Sequence, residues 1–506
     1  MYKDINKVEK NFFEFVAKMK NYEEALMLLA WDLRTGAPKK GVEQRSEVIG
    51  TLSEDIFKMS ISPELKEYID VLSEANIQDQ LSDITKRSVE EVKKQYDRNA
   101  NIPAQEYKDY IILQSKAESV WEEAKAKSDF GLLQPYLEKL VAFKHKMVEY
   151  WGITESKYNA LLDMYEPGVT VDIIDRVFGE LRDSIVPLVR EINDKGEQPD
   201  ASFLKGYFPK TQQKGFSEFV LKQMGYDFQA GRLDETAHPF QITINPNDVR
   251  VTTNYNEDDF RVAIFGTIHE GGHALYEQHI SPELIGTPLC GGTSMGIHES
   301  QSLFFENFVG RNRAFWEHFY DPFKKYAGGL FDQVSLDAFY RATNISKPSF
   351  IRIEADELTY PLHIIVRYEL EKGLFDGDLK VKDLPGVWND KMEEYLGIRP
   401  RNDSEGVLQD IHWSGGDFGY FPSYALGYIY AAQFRNTMVK DLPQFDHYLQ
   451  AGNIQPIREW LTEHIHRFGG LKKPMQIIQD VTGEGVNAKY LIEYLQNKYR
   501  DVYRLG

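Results

Sequence analysis

A mainly α-helical fold with one small β hairpin is what this sequence predicts, and three observations predict it. Apolar residues recur three and four apart through almost all of residues 5 to about 195, the period of an amphipathic helix. That period gives way to strict alternation only once, between about 231 and 255. No internal repeat, low-complexity tract or long linker divides the chain, so its 506 residues read as one large fold, although length alone would allow two to four domains.

The elements follow in order. Phe12, Phe13, Val16 and Met19, and later Leu132, Tyr136, Leu140 and Phe143, are stripes of helices that face a core. Pro103 sits where a first helical turn tolerates it, and Pro167-Gly168 separates two helices, the second capped by Thr170. The charged turn Asn193–Asp200 comes nearest to a boundary. It divides residues 1–200, a helical wall or lid, from residues 201–506, which carry the candidate site. Gln241-Ile242-Thr243-Ile244, a turn at Asn245–Asp248 and Val249–Thr253 form the hairpin. Asn256, with Asp259 three residues on, signals the start of the next helix. Beyond a loop from Ser281 to Gly296, helices are expected at Ile297–Phe308, at Glu354–Lys372 with an interruption at Pro361, at Leu384–Leu396, at Tyr420–Met438 and at Asn487–Tyr503.

Charge and cysteine content bound the function. Lys+Arg of 59 against Asp+Glu of 78 gives a net charge of -19, which argues against nucleic acid and against an anionic membrane surface as partners. The single cysteine, Cys290, excludes an internal disulfide, and the start Met1-Tyr2-Lys3-Asp4 lacks the apolar run of a secretory signal, so a cytoplasmic location is expected. No window approaches eighteen uninterrupted apolar residues, so no membrane span is expected.

Within the helix that follows the hairpin lies His269-Glu270-Gly271-Gly272-His273. Two histidines four apart on a helix present their imidazoles to one point, and Glu270 is placed to take a proton rather than to ligate. Zinc in a catalytic site takes three protein ligands, so a third residue is needed. His279 has the offset of the long His-Glu-x-x-His-x-x-Gly-x-x-His motif, but Tyr276 stands where that motif needs a glycine turn. A Glu on the following helix is the better solution: Glu299, in His298-Glu299-Ser300-Gln301, or Glu306 seven residues on, with Glu283 in the loop as an outsider. Such a site lowers the pKa of a bound water to about 7, Glu270 accepts its proton, and an amide is hydrolysed. Gly271 and Gly272 imply a close approach on that face, either by substrate or by a packed helix.

Six motifs stand together in this chain: His238-Pro239-Phe240, Asp248-x-Arg250-x-Thr252, His269-Glu270-x-x-His273, His298-Glu299-Ser300-Gln301, Ile351-Arg352-x-x-Ala355-Asp356 and Gly406-x-x-Gln409-Asp410-x-His412-Trp413. Together they resemble the signature set of the carboxypeptidase Taq family of metallocarboxypeptidases, and the likeness runs from Leu29-Ala30-Trp31-Asp32 to Tyr494-Leu495. The resemblance implies a helical fold with a deep central groove, like that of neurolysin and angiotensin-converting enzyme, and a homodimer. It also implies stepwise removal of amino acids from peptides with a free C-terminal carboxylate, with broad side-chain preference and poor action on proline. By the family's pattern His269, His273 and Glu299 bind Zn2+, with Co2+ as an active substitute, and Glu270 is the catalytic base. An endo-acting zinc oligopeptidase of the same chemistry is the alternative. A metal-binding scaffold without turnover is disfavoured by the presence of Glu270.

The remaining motif residues carry expectations of their own. A terminal carboxylate is well matched by a guanidinium, with Arg352 first and Arg250 second, unless they pair internally with Asp356 and Asp248. His412, Tyr420 and Tyr424 resemble the oxyanion donors of neurolysin-like peptidases, and Gln409 and Trp413 are expected to close one end of the groove. Asp248, Glu306 and Asp356 are candidates for the second ring nitrogens of the ligand histidines. His238 is expected to be a buried hydrogen-bonding residue and Cys290 an inert thiol.

Overall fold

The computed structural model describes residues 4–153 and 155–505, so the first three residues of the N-terminal stretch considered above lie outside it. Helices dominate, and the exception is a sheet of three short strands, β1 (Leu233–Glu235), β2 (Gln241–Asn245) and β3 (Asp248–Thr253), in the order β1-β3-β2. The predicted hairpin is β2–β3, antiparallel with an irregularity between Thr243 and Asn245. β1 pairs parallel to β3 and escaped the sequence reading, because three residues are too few to show alternation. Among the described residues no helix is long and apolar enough to cross a membrane.

Two cores form. Phe12, Val16, Leu65, Ile69, Leu72 and Val89 bury a small cluster inside the helices Ile5–Thr35, Pro63–Leu72 and Asp83–Ala100. Ser62 and Ser82 cap the second and third of these by accepting the amides of Leu65 and Thr85. Everything from Tyr110 onward packs in one contiguous main core. The division expected near residue 200 therefore does not coincide with a core boundary, since the helix Val171–Lys195 buries Ile174, Leu181, Ile185 and Ile192 in the main core. The small cluster meets the body at the sheet: the Trp31 ring lies 5.6 Å from Phe240, and the Arg250 guanidinium sits 5.5 Å over the same indole.

Four expected boundaries change for local reasons. Asp259, not Asn256, caps the helix Phe260–Gln278 by accepting the amide of Arg261, while Asn256 serves the preceding turn through Asp258. Thr170 stands at the start of its helix but makes no side-chain cap bond. Pro361 does not interrupt a helix; it begins one, at the first turn of Tyr360–Phe375, where its missing N–H costs nothing. The helix expected at Ile297–Phe308 is α-helical over Met295–Leu303 and then widens into a π-helix over Phe304–Gly310.

Close helix packing explains the paired glycines. A Cβ on Gly271 would lie 2.7 Å from Leu221 Cδ2, and one on Gly272 would lie 2.5 Å from the backbone oxygen of Gln301. The helix Phe260–Gln278 is thus pressed between Lys210–Met224 and Met295–Leu303. On the other side of Met295–Leu303, the helix Pro422–Asp441 approaches through Gly427, whose Cβ would meet the Glu299 side chain at 2.7 Å. Packing, rather than space for a ligand, sets these glycines.

Candidate active site

The second helix of the site starts under unusual control. Ser294 accepts the amide of Ile297, and the buried Glu166 takes the Ser294 hydroxyl (2.9 Å) and the Gly296 amide (2.7 Å). Burial pushes the Glu166 carboxyl up to about 7. One turn on, Glu299 points at the two histidines: its Oε2 is 3.4 Å from His273 Nε2 and 3.9 Å from His269 Nε2. His269, His273 and Glu299 each offer one donor atom, all within 4.8 Å of one another.

The other ring nitrogens are engaged. His269 Nδ1 bonds Glu306 Oε2 at 2.9 Å, and Glu306 is itself held by Arg311 (Nη2 to Oε1, 3.0 Å). His273 Nδ1 lies 2.6 Å from His298 Nδ1, and His298 Nε2 lies 3.0 Å from Glu277 Oε1. Both imidazoles therefore turn Nε2 toward Glu299. Glu306 takes the supporting position that was one of its two expected places. Asp248 and Asp356 do not: Asp248 chelates Arg250, and Asp356 accepts the amides of Leu358 and Thr359.

Electrostatics fit a cation. Burial alone would lower the pKa of His269, yet Glu306, Glu299 and Glu270 push it up to about 10, which measures the negative field at this point. His273, where burial dominates, falls to about 4. Burial pushes the Glu270 carboxyl up to about 7 against the pull of His269. Two imidazoles and a carboxylate match the donor set of a catalytic zinc site, so the residues present fit such an ion.

A second cluster borders Glu299. Arg352 Nε and Nη2 donate to Asp410 Oδ1 at 3.0 and 2.9 Å, while Arg367 Nε donates to Asp410 Oδ2 at 2.7 Å. Arg352 thus pairs with Asp410, not with Asp356. Two guanidiniums share one carboxylate. Burial would raise Asp410, but Arg367 and Arg352 outweigh it and hold the group well below the ordinary carboxylate range. Arg352 Nη1 also donates to Tyr360 Oη (3.2 Å), and His412 Nε2 lies 3.3 Å from Tyr424 Oη. Burial, aided by Arg352 and Arg367, lowers His412 to about 4, so its ring is neutral. The rings of Tyr420 and Tyr424 meet edge to face at 5.2 Å, and burial raises both phenols with Glu299 adding to the effect.

Several expected site residues stand elsewhere. Gln409 accepts the Arg352 amide and donates to Phe350 O and Glu405 O, and the buried Trp413 donates to Glu371 Oε1 at 2.7 Å. Both hold the loop from inside rather than closing a groove. His238 is exposed and lies in a bend, while Thr252 ties Phe240 down by bonding both its N–H and its C=O. Gln301 meets His466 Nε2 at 2.8 Å, and Arg250 stays paired with Asp248. His279 bonds the Leu275 carbonyl at 2.7 Å, Glu283 is exposed, and burial pushes the Cys290 thiol up to about 11. Arg367, Tyr360, Glu277 and Glu371 were missed. Arg367 had a signal, a lone guanidinium after the apolar run Ile364-Ile365-Val366.

Residues 11–499 match the family model of the carboxypeptidase Taq (M32) metallopeptidases. The chain belongs to this family. Carboxypeptidase 1 of Bacillus subtilis is 56% identical over 502 residues, covering 99% of this chain and 100% of that one. Thermostable carboxypeptidase 1 of Thermus thermophilus is 40% identical over 504 residues, 98% of each. The crystal structure of the M32 carboxypeptidase from Deinococcus radiodurans R1 superimposes with a TM-score of 0.95 at 33% identity, covering 99% of this chain and 100% of that one. As a member of the M32 family the protein is a peptidase of the metal-dependent class with the mainly α fold of its relatives.

Proposed function

We propose that this protein is a metal-dependent carboxypeptidase that shortens peptides one residue at a time from a free C-terminus. The observation that carries the exo-acting reading is the pair Arg352–Arg367 on a single Asp410, which leaves one buried positive charge uncompensated. Of the five Arg352 N–H groups, three are bonded among the described residues, two to Asp410 and one to Tyr360. Two remain, and the proposal takes them as the donors for a terminal carboxylate.

His269, His273 and Glu299 would hold the cation, which when bound supplies Lewis acidity that polarises a carbonyl and makes water more acidic. Zinc suits the donor set, with cobalt as an alternative. Glu270 accepts the proton of the attacking water and returns it to the leaving amine, a shuttle favoured by a proton affinity near neutrality. Neutral His412 and the phenols of Tyr420 and Tyr424 are the donors for the developing oxyanion. A C-terminal proline lacks the scissile N–H, in keeping with poor action on it, and the broad side-chain preference follows the family resemblance. The same reading takes residues 1–506 as a single peptidase domain with 1–200 as its helical wall or lid, and the protein as a cytoplasmic homodimer.

The test is a mass-spectrometric time course on one peptide as free acid and as C-terminal amide. Stepwise shortening of the acid with an intact amide is expected. Equal cleavage of both, at internal bonds, would establish the endo-acting alternative instead.

A further inference from the structure

The two ligand histidines are supported in different ways. His269 donates its Nδ1–H directly to a carboxylate, Glu306. His273 has no carboxylate at that position; its Nδ1 meets another ring nitrogen, His298 Nδ1, at 2.6 Å. Two neutral imidazoles can share such a contact only if one carries the proton and the other the lone pair. The contact alone does not choose. If His298 were the donor, His273 would carry its proton on Nε2, the atom that faces Glu299 and His269, and could not ligate there.

Glu277 makes the choice. It lies one helical turn beyond His273 on the same helix, and its Oε1 is 3.0 Å from His298 Nε2. A carboxylate only accepts, so His298 donates through Nε2, and only a lone pair left on its Nδ1 lets His273 donate through Nδ1 and keep Nε2 free to ligate. The same Oε1 also accepts the Gly292 amide at 2.9 Å, which fixes the acceptor in place. Gly292 cannot bear a side chain here, since a Cβ would lie 2.6 Å from His298 Cδ2 and 3.3 Å from Glu277 Oε1.

We propose that Glu277 and His298 form a tautomer relay that fixes the proton of His273 on Nδ1 and presets its Nε2 lone pair toward the metal site. Glu277 and His298 are positioning residues that act through His273. The relay rests on the reading of His273 as a ligand, and the controls separate the two.

Zinc affinity is measured by chelator competition on the full chain. His273→Ala should abolish tight binding; retention would overturn the ligand reading itself. His298→Ala should weaken zinc binding by about 10- to 100-fold. His298→Gln, whose amide oxygen can accept from His273 Nδ1, should restore most of the loss. Glu277→Leu should weaken binding by less than His298→Ala, because His298 then samples both tautomers. Wild-type zinc affinity in His298→Ala would overturn the relay while leaving the ligand reading intact. Should that variant fail to fold, His298→Gln and a spectrum of the wild-type protein decide. Imidazole 15N spectra of the metal-free chain, assigned by the signals missing in His298→Gln, should show His298 protonated on Nε2 alone and His273 on Nδ1. A His298 protonated on Nδ1, or on both nitrogens, would overturn the proposal.

Discussion

The metal cluster and the arginine cluster are built with opposite imbalances of charge. Around the histidines, Glu270, Glu299 and Glu306 outnumber the one nearby guanidinium, Arg311. Around Asp410, Arg352 and Arg367 outnumber the one carboxylate. Buried charge is costly unless it is compensated, so each imbalance marks the sign of what is bound there. On the proposed function the first cluster is the place for a cation and the second the place for the carboxylate of a peptide's free C-terminus. The pairing of clusters, more than either alone, points to action at a chain end.

The largest effect should come from the carboxylate that belongs to chemistry rather than to binding. Glu270→Gln should lower turnover by roughly 10²- to 10⁴-fold, the usual contribution of a positioned base, while zinc content by elemental analysis stays near one per chain. If zinc is lost along with turnover, Glu270 belongs to the binding set and the metal cluster has been divided wrongly.

Next in size is the arginine side. Arg352→Ala leaves Asp410 neutralised by Arg367 and removes the two N–H groups offered to a carboxylate. Two hydrogen bonds to a charged group, each about 1.5 kcal/mol at the low end, amount to roughly 100-fold in kcat/KM on the free acid. Any slow cleavage of the amide, which the wild type is expected to leave intact over the same time course, should be unchanged. An equal loss on both would make Arg352 a structural partner of Asp410 only.

Much of this comparison was legible in the sequence, and the illegible part has one cause. His269, Glu270 and His273 could be read because helix geometry converts spacing into direction, whereas Glu299 was separated from Glu306 only by the family's motif. Arg352 and His412 came with motifs. What could not be read is which groups from distant segments meet: Asp410 rather than Asp356 as the partner of Arg352, and Glu371 beneath Trp413. His238 failed for a related reason, since a His-Pro-Phe sequence does not say which way the first side chain turns. In the fold, long helices were plain, but the separate core of residues 12–92 and the parallel strand β1 depend on contacts that no local period encodes.

A smaller effect concerns how the arginine side is anchored. Glu371 accepts from Tyr158, Trp413 and the Gly419 amide, and so ties down the segment that follows His412. Burial pushes its carboxyl from 4.5 up to about 7. A raised carboxylate stabilises the fold fully below its ordinary pKa and loses that contribution as pH rises through about 7. Asp410, held low, acts in the opposite sense and loses its contribution only as acid is added. The stability of the wild type relative to Glu371→Gln should therefore fall between pH 5 and pH 8, by on the order of 3 kcal/mol, in denaturant titrations at the two values. A pH-independent difference would mean that Glu371 is ionised throughout and that three hydrogen bonds, not a retained proton, hold the loop.

The smallest effect tests where the metal cluster ends. His279→Ala should leave zinc affinity and kcat/KM within about twofold and cost the fold roughly 1 kcal/mol, the worth of its bond to the Leu275 carbonyl. The reason is geometric. Tyr276 continues the helix where a glycine would have turned it, and its buried hydroxyl accepts the Thr293 amide, fixing the loop that delivers the Met295–Leu303 helix. The residue that removes His279 from the site thus helps bring Glu299 into it. Loss of zinc in His279→Ala would break that link and return the third-ligand position to the end of the first helix.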